Sequence, residues 1–177
     1  TDQQKTLAEL AMARPERIVA FCPGAEYGPA KRWPAAHFAE LAQKLAAHGY
    51  AIWLFGSPKD HAVAEEISQL APGLSRNLCG ATSLDQAVDL LAMADLVVCN
   101  DSGLMHVAAA VNRPLVTLYG SSSPGFTPPL SDQADILSLK LDCSPCFKRE
   151  CPLGHLNCLK QLTPDLVMDA CLKRIAQ

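Results

Sequence analysis

Short apolar runs alternate with stretches of helical periodicity along most of the chain. The runs are Arg17–Cys22, Tyr50–Phe55, Leu96–Cys99 and Leu115–Tyr119, with shorter ones at Ser75–Cys79 and Ile136–Leu139. Apolar runs of four to six residues bounded by turn residues read as buried strands. Between them, Ala36–His48 carries Phe38, Leu41, Leu45 and Ala46 at helical spacing and ends at Gly49. Asp60–Leu70 is broken by Pro72-Gly73. Ser83–Met93 opens with a capping-box pair, Ser83 and Gln86, and Leu104–Val111 is a further apolar-periodic segment. A closing helix is predicted over Pro164–Ile175, with Thr163 as its cap and Pro164 in its first turn. Thr1–Met12 reads as a helical lead-in or a linker remnant.

Strands apolar throughout and separated by helices predict an α/β fold, a parallel sheet covered on both faces. The usual outcome is a doubly wound, Rossmann-like sheet of order 3-2-1-4-5-6, with its ligand crevice between the carboxyl ends of strands 1 and 4. The reading places a lead-in at residues 1–16 and one domain over 17–177. A chain of 177 residues, 49% apolar, suffices for one core. Its net charge of −3 speaks against a general nucleic-acid binder. No apolar run approaches the roughly 18 residues of a membrane span, and no signal-peptide pattern occupies the first fifteen residues. The expectation is a cytosolic domain without a membrane span.

The chemistry concentrates in two loops. After strand 4, Asn100-Asp101-Ser102-Gly103 leads into a helix, so Ser102 and Gly103 stand at a terminus whose backbone N–H groups lack partners and whose dipole favours an anion. Leu104 opens the helix and His106 follows just over one turn in. His106 could reach a phosphate or fix the Asp101 loop, a structural histidine being the plainer reading, and Asp101 could cap the helix or accept from sugar hydroxyls. After strand 1, Pro23–Pro34 carries Lys31 and Arg32 beside Trp33, two cations suited to a diphosphate; the plainer reading is a solvated basic turn with Trp33 as a packing anchor. Gly56–Asp60, Ala81-Thr82-Ser83 and Gly120–Gly125 lie at the same edge of the predicted sheet. Neither the G-x-G-x-x-G fingerprint nor a P-loop is present.

Eight cysteines are many for a cytosolic chain. Cys22, Cys79, Cys99 and Cys171 read as small buried hydrophobes. Cys143, Cys146, Cys151 and Cys158, with His155 among them, could close a tetrahedral structural zinc site. A reduced or partly disulfide-bonded loop is the alternative.

Cys22-Pro-Gly-Ala25, Lys31-Arg-Trp-Pro34, Leu54-Phe-Gly-Ser57, Asn100-Asp-Ser-Gly-Leu-Met-His106, Arg113-Pro114 and Leu118-Tyr-Gly-Ser121 together resemble the bacterial heptosyltransferases of glycosyltransferase family 9, the heptosyltransferase II type among them. The resemblance runs from about Arg17 onward. It implies a GT-B fold, of which these residues look like the C-terminal, donor-binding half. It further implies an inverting glycosyltransferase that moves heptose from ADP-heptose to the lipopolysaccharide inner core, at the cytoplasmic face of the membrane and without a required metal. By motif position, Lys31 looks like the lysine that contacts the donor. Asp101, Ser102, Gly103, Leu104 and His106 look like the surround of diphosphate and heptose, and Thr82 like a neighbour of adenosine. Where relatives place a glutamate for the ribose, this chain carries Lys59 and Asp60. The family's base and acceptor site are implied on an N-terminal domain not among these residues. Two other readings stand beside this one: a standalone nucleotide-binding or zinc-linked interaction module, and another GT-B sugar-nucleotide enzyme such as an epimerase.

Overall fold

The computed structural model describes residues 2–24, 33–100, 103–119, 134–138 and 161–176. Its elements in chain order are α1 (Asp2–Glu9), β1 (Ile18–Cys22), α2 (Ala35–Ala47), β2 (Ala51–Leu54), a single 3-10 turn (Pro58–Asp60), α3 (His61–Leu70), β3 (Ser75–Asn77) and α4 (Leu84–Leu91). They continue as β4 (Leu96–Asn100), α5 (Gly103–Ala110), β5 (Leu115–Tyr119), β6 (Ala134–Ser138) and α6 (Pro164–Ile175). The six strands form one sheet in the order β3-β2-β1-β4-β5-β6, and every neighbouring pair is parallel. This is the doubly wound order expected from the alternation of runs.

Period-2 alternation divides the sheet between two cores. Val19 and Phe21 of β1, with Ile52, Leu54, Leu96, Val98, Val116 and Leu118, face α2, α3 and α6. Ile18, Ala20 and Cys22, with Trp53, Val97, Cys99 and Leu115, face α1, α4 and α5. Because both faces are covered, β1 and β4 bury all of their side chains, which is why they read as unbroken apolar runs. The lead-in helix docks on the second face: Leu7 and Met12 join that core, and Thr6 Oγ1 donates to Asp89 of α4 at 2.8 Å.

The helix signals act as expected. Ser83 Oγ accepts from the Gln86 amide (3.2 Å) while the Gln86 side chain accepts from the Ser83 amide (3.0 Å), closing the capping box. Thr163 Oγ1 accepts from the Leu166 amide, and Gly49 ends α2 at φ +89°, a conformation a side chain would resist. Two elements differ from expectation. β3 stops at Asn77 rather than Cys79 and is polar and half-exposed, because an edge strand has one neighbour and is less covered. β6 begins at Ala134, two residues before the apolar run, because backbone pairing with β5 extends it from Leu115 to Tyr119.

Candidate functional site at the carboxyl edge of the sheet

The residue that organises the crevice is Asn100, the last of β4 and fully buried. Its Oδ1 accepts from the Trp33 amide at 3.1 Å, and its Nδ2 donates to the Pro23 carbonyl at 2.7 Å. One side chain therefore bonds the backbone at both Pro23 and Trp33, at the mouth between β1 and β4. A buried amide with both functions satisfied is worth keeping, since an orphaned donor or acceptor costs about 1–3 kcal/mol.

Trp33 is the second anchor. Its indole is 1% exposed and Nε1 donates to the Leu162 carbonyl at 2.6 Å, tying the loop after β1 to the approach of α6. The ring meets Phe38 edge-on at 4.8 Å and His37 at 5.4 Å, and Phe38 in turn packs on Phe21 at 5.3 Å. Such aromatic contacts add to the burial of area. Pro34 then starts α2 with extended backbone. The packing-anchor reading of Trp33 holds, and it holds at the edge of the crevice.

The loops after β2 and β3 are stitched together beside it. Leu78 and Gly80 donate to the Leu54 and Gly56 carbonyls at 2.8 and 3.1 Å. Gly80 has φ +75° and lies so close that a Cβ would stand 3.0 Å from Pro58 Cα. Asp60 folds back, accepting from the Ser57 amide (3.0 Å) and hydroxyl (3.3 Å). Its carboxylate occupies the space that a side chain at Gly24 or Gly56 would need, so the bare backbone there lets an acidic group reach the end of β1. Two buried thiols feel that carboxylate. Burial first, then Cys79 and Asp60, push the Cys22 pKa upward. Burial and then Asp60 push Cys79 up to about 12. Both remain neutral thiols, poor nucleophiles, in line with their reading as small apolar fillers. Cys99 and Cys171 are buried as well.

Of the residues singled out from sequence, Thr82 is half-buried in the turn between β3 and α4. Gly103 begins α5, with no described atom within 4 Å of the place a Cβ would take. Leu104 is half-buried against the second core, and His106 is exposed on α5. The topology brings the starts of α4 and α5 to the same carboxyl edge, after β3 and β4. Lys31, Asp101, Ser102, Cys143, Cys146, Cys151 and Cys158 lie outside the described residues. Among the described residues there is no group of three or more metal-ligating side chains, and no helix is long and apolar enough to cross a membrane. Asn100, Gly24 and Asp60 were not singled out as a unit from sequence. The available signal was a polar residue closing the otherwise apolar Leu-Val-Val-Cys run, and glycines at the ends of strands 1 and 2.

A parallel sheet of this order, with its loops gathered at the β1–β4 switch point, defines a Rossmann-like α/β domain of the GT-B type. The model of the family described as glycosyltransferase family 9 (heptosyltransferase) matches residues 1–157, and the chain belongs to that family. It is 52% identical over 157 residues to lipooligosaccharide heptosyltransferase 2 of Haemophilus influenzae, covering 86% of this chain and 45% of that protein. Among solved structures, that of the Escherichia coli ADP-heptose lps heptosyltransferase II superposes with TM-score 0.87 at 44% identity, over 99% of this chain and 51% of the other. The E. coli heptosyltransferase WaaC with ADP-2-deoxy-2-fluoro heptose superposes with TM-score 0.69 at 27% identity, over 97% and 47%. The chain thus spans about half the length of the relatives it matches.

Proposed function

We propose that this chain is the donor-binding domain, the C-terminal half, of an inverting heptosyltransferase that moves heptose from ADP-heptose onto the inner core of lipopolysaccharide. The observation that carries the reading is Asn100, the end of β4, which bonds the backbone at Pro23 and at Trp33, the two described points that flank Lys31 and Arg32 in sequence. That junction lies where sheets of this order bind ligands. The family membership and the ADP-heptose named for its relatives give the ligand its class.

In such a transfer an acceptor hydroxyl attacks the anomeric carbon of the heptose, its proton passes to a base, and the bond to the diphosphate breaks with ADP leaving. Charge then grows on the β-phosphate. In this reading Lys31 supplies a cation to it, and Gly103 at the start of α5 with Ser102 before it in sequence supplies backbone N–H groups, the kind of fixed electrostatics that lowers such a barrier. Asp101 and His106 serve the heptose side, Leu104 packs the helix start, and Thr82 with the loop after β2 borders the adenosine. The base and the acceptor site are assigned to the half of the relatives that this chain does not span. The reading requires no metal for the transfer. It gives Cys143, Cys146, Cys151 and Cys158 a structural zinc, and places the protein in the cytoplasm or at the inner face of the membrane.

Calorimetric titration of the chain with ADP, ADP-heptose and UDP-sugars tests the proposal. ADP and ADP-heptose should bind in preference to UDP-sugars, and Lys31→Ala should weaken ADP binding by about 1–3 kcal/mol, the range for a hydrogen bond to a charged group. A preference for UDP-sugars points instead to another sugar-nucleotide enzyme, and absence of nucleotide binding leaves an interaction module.

A further inference from the structure

β3 lies at the edge of the sheet and pairs with β2 on one side only, so restraint of the turn that follows it must come from elsewhere. α1 makes bonds on both sides of that turn. Before the turn, Arg76 Nη2 donates to the Leu10 carbonyl at 3.2 Å, a cation set against the negative end of α1. After the turn, the Thr6 hydroxyl donates to Asp89 at 2.8 Å and Gln86 Nε2 donates to Glu9 Oε2 at 3.0 Å. Three residues forward in α1 thus match three residues back in α4, and the two helices run antiparallel. The same Gln86 side chain closes the cap of α4 through its Oε1. Apolar burial completes the seat. Ala11, at φ +52°, turns the chain so that the Met12 amide bonds the Leu7 carbonyl at 2.8 Å, and Leu7 and Met12 enter the core shared with Ala87, Leu90 and Leu91 of α4. Between Arg76 and Gln86 lies the turn itself, where the Leu78, Gly80 and Ala81 amides donate to the Leu54, Gly56 and Leu78 carbonyls.

We propose that α1 is a releasable brace for the β3–α4 turn, and that it holds this turn in the shape that receives the nucleoside end of the donor. The nucleotide arm of the inference rests on the donor-site reading above; the mechanical arm does not. A helix of eight residues is too short to persist undocked. It is therefore either seated on α4 with its bonds made, or detached with all of them lost. When it is detached, the turn keeps its bonds to β2 and the cap of α4 but loses the tie that joins Arg76 to Gln86 through α1. Seating and nucleotide binding then favour each other by the same factor, as linkage requires.

The test is amide hydrogen exchange with ADP calorimetry on the 177-residue chain, at a temperature where circular dichroism shows each variant folded. The double variant Leu7→Ala, Met12→Ala detaches α1 without altering the turn, and exchange of its Leu10 and Met12 amides reports the detachment. Its Leu78, Gly80 and Ala81 amides should exchange at least about tenfold faster than in the unaltered chain. ADP should bind about fivefold more weakly, the low end of ordinary coupling between sites, and bound ADP should slow exchange of the Leu10 and Met12 amides in the unaltered chain. Val167→Ala, a deletion in the first core, is the control for general destabilisation. It should lower the melting temperature and leave turn exchange and ADP affinity within about twofold, because an edge turn opens locally. If the double variant does not fold, Glu9→Ala with Arg76→Ala, which removes two exposed bonds, should show the same selective loss at the turn, smaller in size. Turn amides that keep the unaltered rate while α1 has detached overturn the brace. Faster turn exchange with unaltered ADP affinity overturns its role toward the nucleotide. An unaltered chain that binds no ADP overturns the donor-site reading and the nucleotide arm with it, while the exchange rates still decide the brace.

Discussion

At the centre of the sheet β1 and β4 bury every side chain, whereas at its outer edge β3 buries none of Ser75, Arg76 and Asn77. All three strands deliver loops to the same carboxyl edge, yet different forces act at the two places. In the centre, Phe21, Phe38 and Trp33 share one apolar core, and β4 ends in one fully buried, doubly bonded amide, Asn100. At the edge, Asn77 does comparable work in reach of water: its Nδ2 donates to Glu65 at 2.8 Å, and its Oδ1 accepts from the Cys79 amide at 3.0 Å. His61 Nδ1 lies 3.3 Å from the Cys79 carbonyl. Water can replace a partner lost at the edge but not one lost in the centre, so the centre is suited to holding charge in fixed positions and the edge to adjustment around a bulkier group. In the proposed function these are the diphosphate and nucleoside ends of the donor.

The contrast can be broken by two substitutions. Phe38→Ala removes a fully buried ring that touches both Trp33 and Phe21, and should cost about 3–5 kcal/mol of stability in urea unfolding. Asn77→Ala removes the bonds to Glu65, His61 and the Cys79 amide at a half-exposed position where water can replace them, and should cost only about 1 kcal/mol. Comparable losses from the two would mean that the edge network is as rigid as the core, and the division of labour drawn here would fall.

The same contrast explains what was legible in the sequence. Central strands must be apolar on both faces, so Ile18–Cys22 and Leu96–Asn100 were visible as runs and the strand order followed from their alternation with helices. Caps are local, and the Ser83–Gln86 pair needed only a spacing of three to be seen. β3 was harder, because a strand of Ser, Arg and Asn carries no burial pattern and is held by pairing with β2. The pair of bonds made by Asn100 was hardest. Nothing near Asn100 in sequence indicates Pro23 or Trp33 as its partners; only the parallel pairing of β1 with β4 brings them together. The fold of Asp60 toward Gly24 is likewise a contact between loops of different strands. Lys31, Asp101 and Ser102 stand out in the sequence through their motifs and lie outside the described residues.

The smallest expected effect is also at the central anchor. His37 lies in the first turn of α2, its ring against Trp33 and its Nδ1 buried with no hydrogen-bond partner among the described residues. Burial lowers its pKa below the ordinary 6.5, with Glu40 pulling weakly the other way, and the positive end of the helix dipole also disfavours a cation there. The unfolded chain therefore takes up a proton more readily than the folded one. The sign follows: stability from the neutral imidazole is complete above pH 6.5 and is lost progressively as pH falls below it. Melting curves of the unaltered chain and of His37→Gln, taken between pH 7.5 and 5.5, isolate this contribution from the carboxylates common to both. The unaltered chain should lose more of its melting temperature across that interval. Parallel losses would show that the ring accepts its proton without strain, and that the packing around Trp33 is looser than its buried indole and paired amide imply.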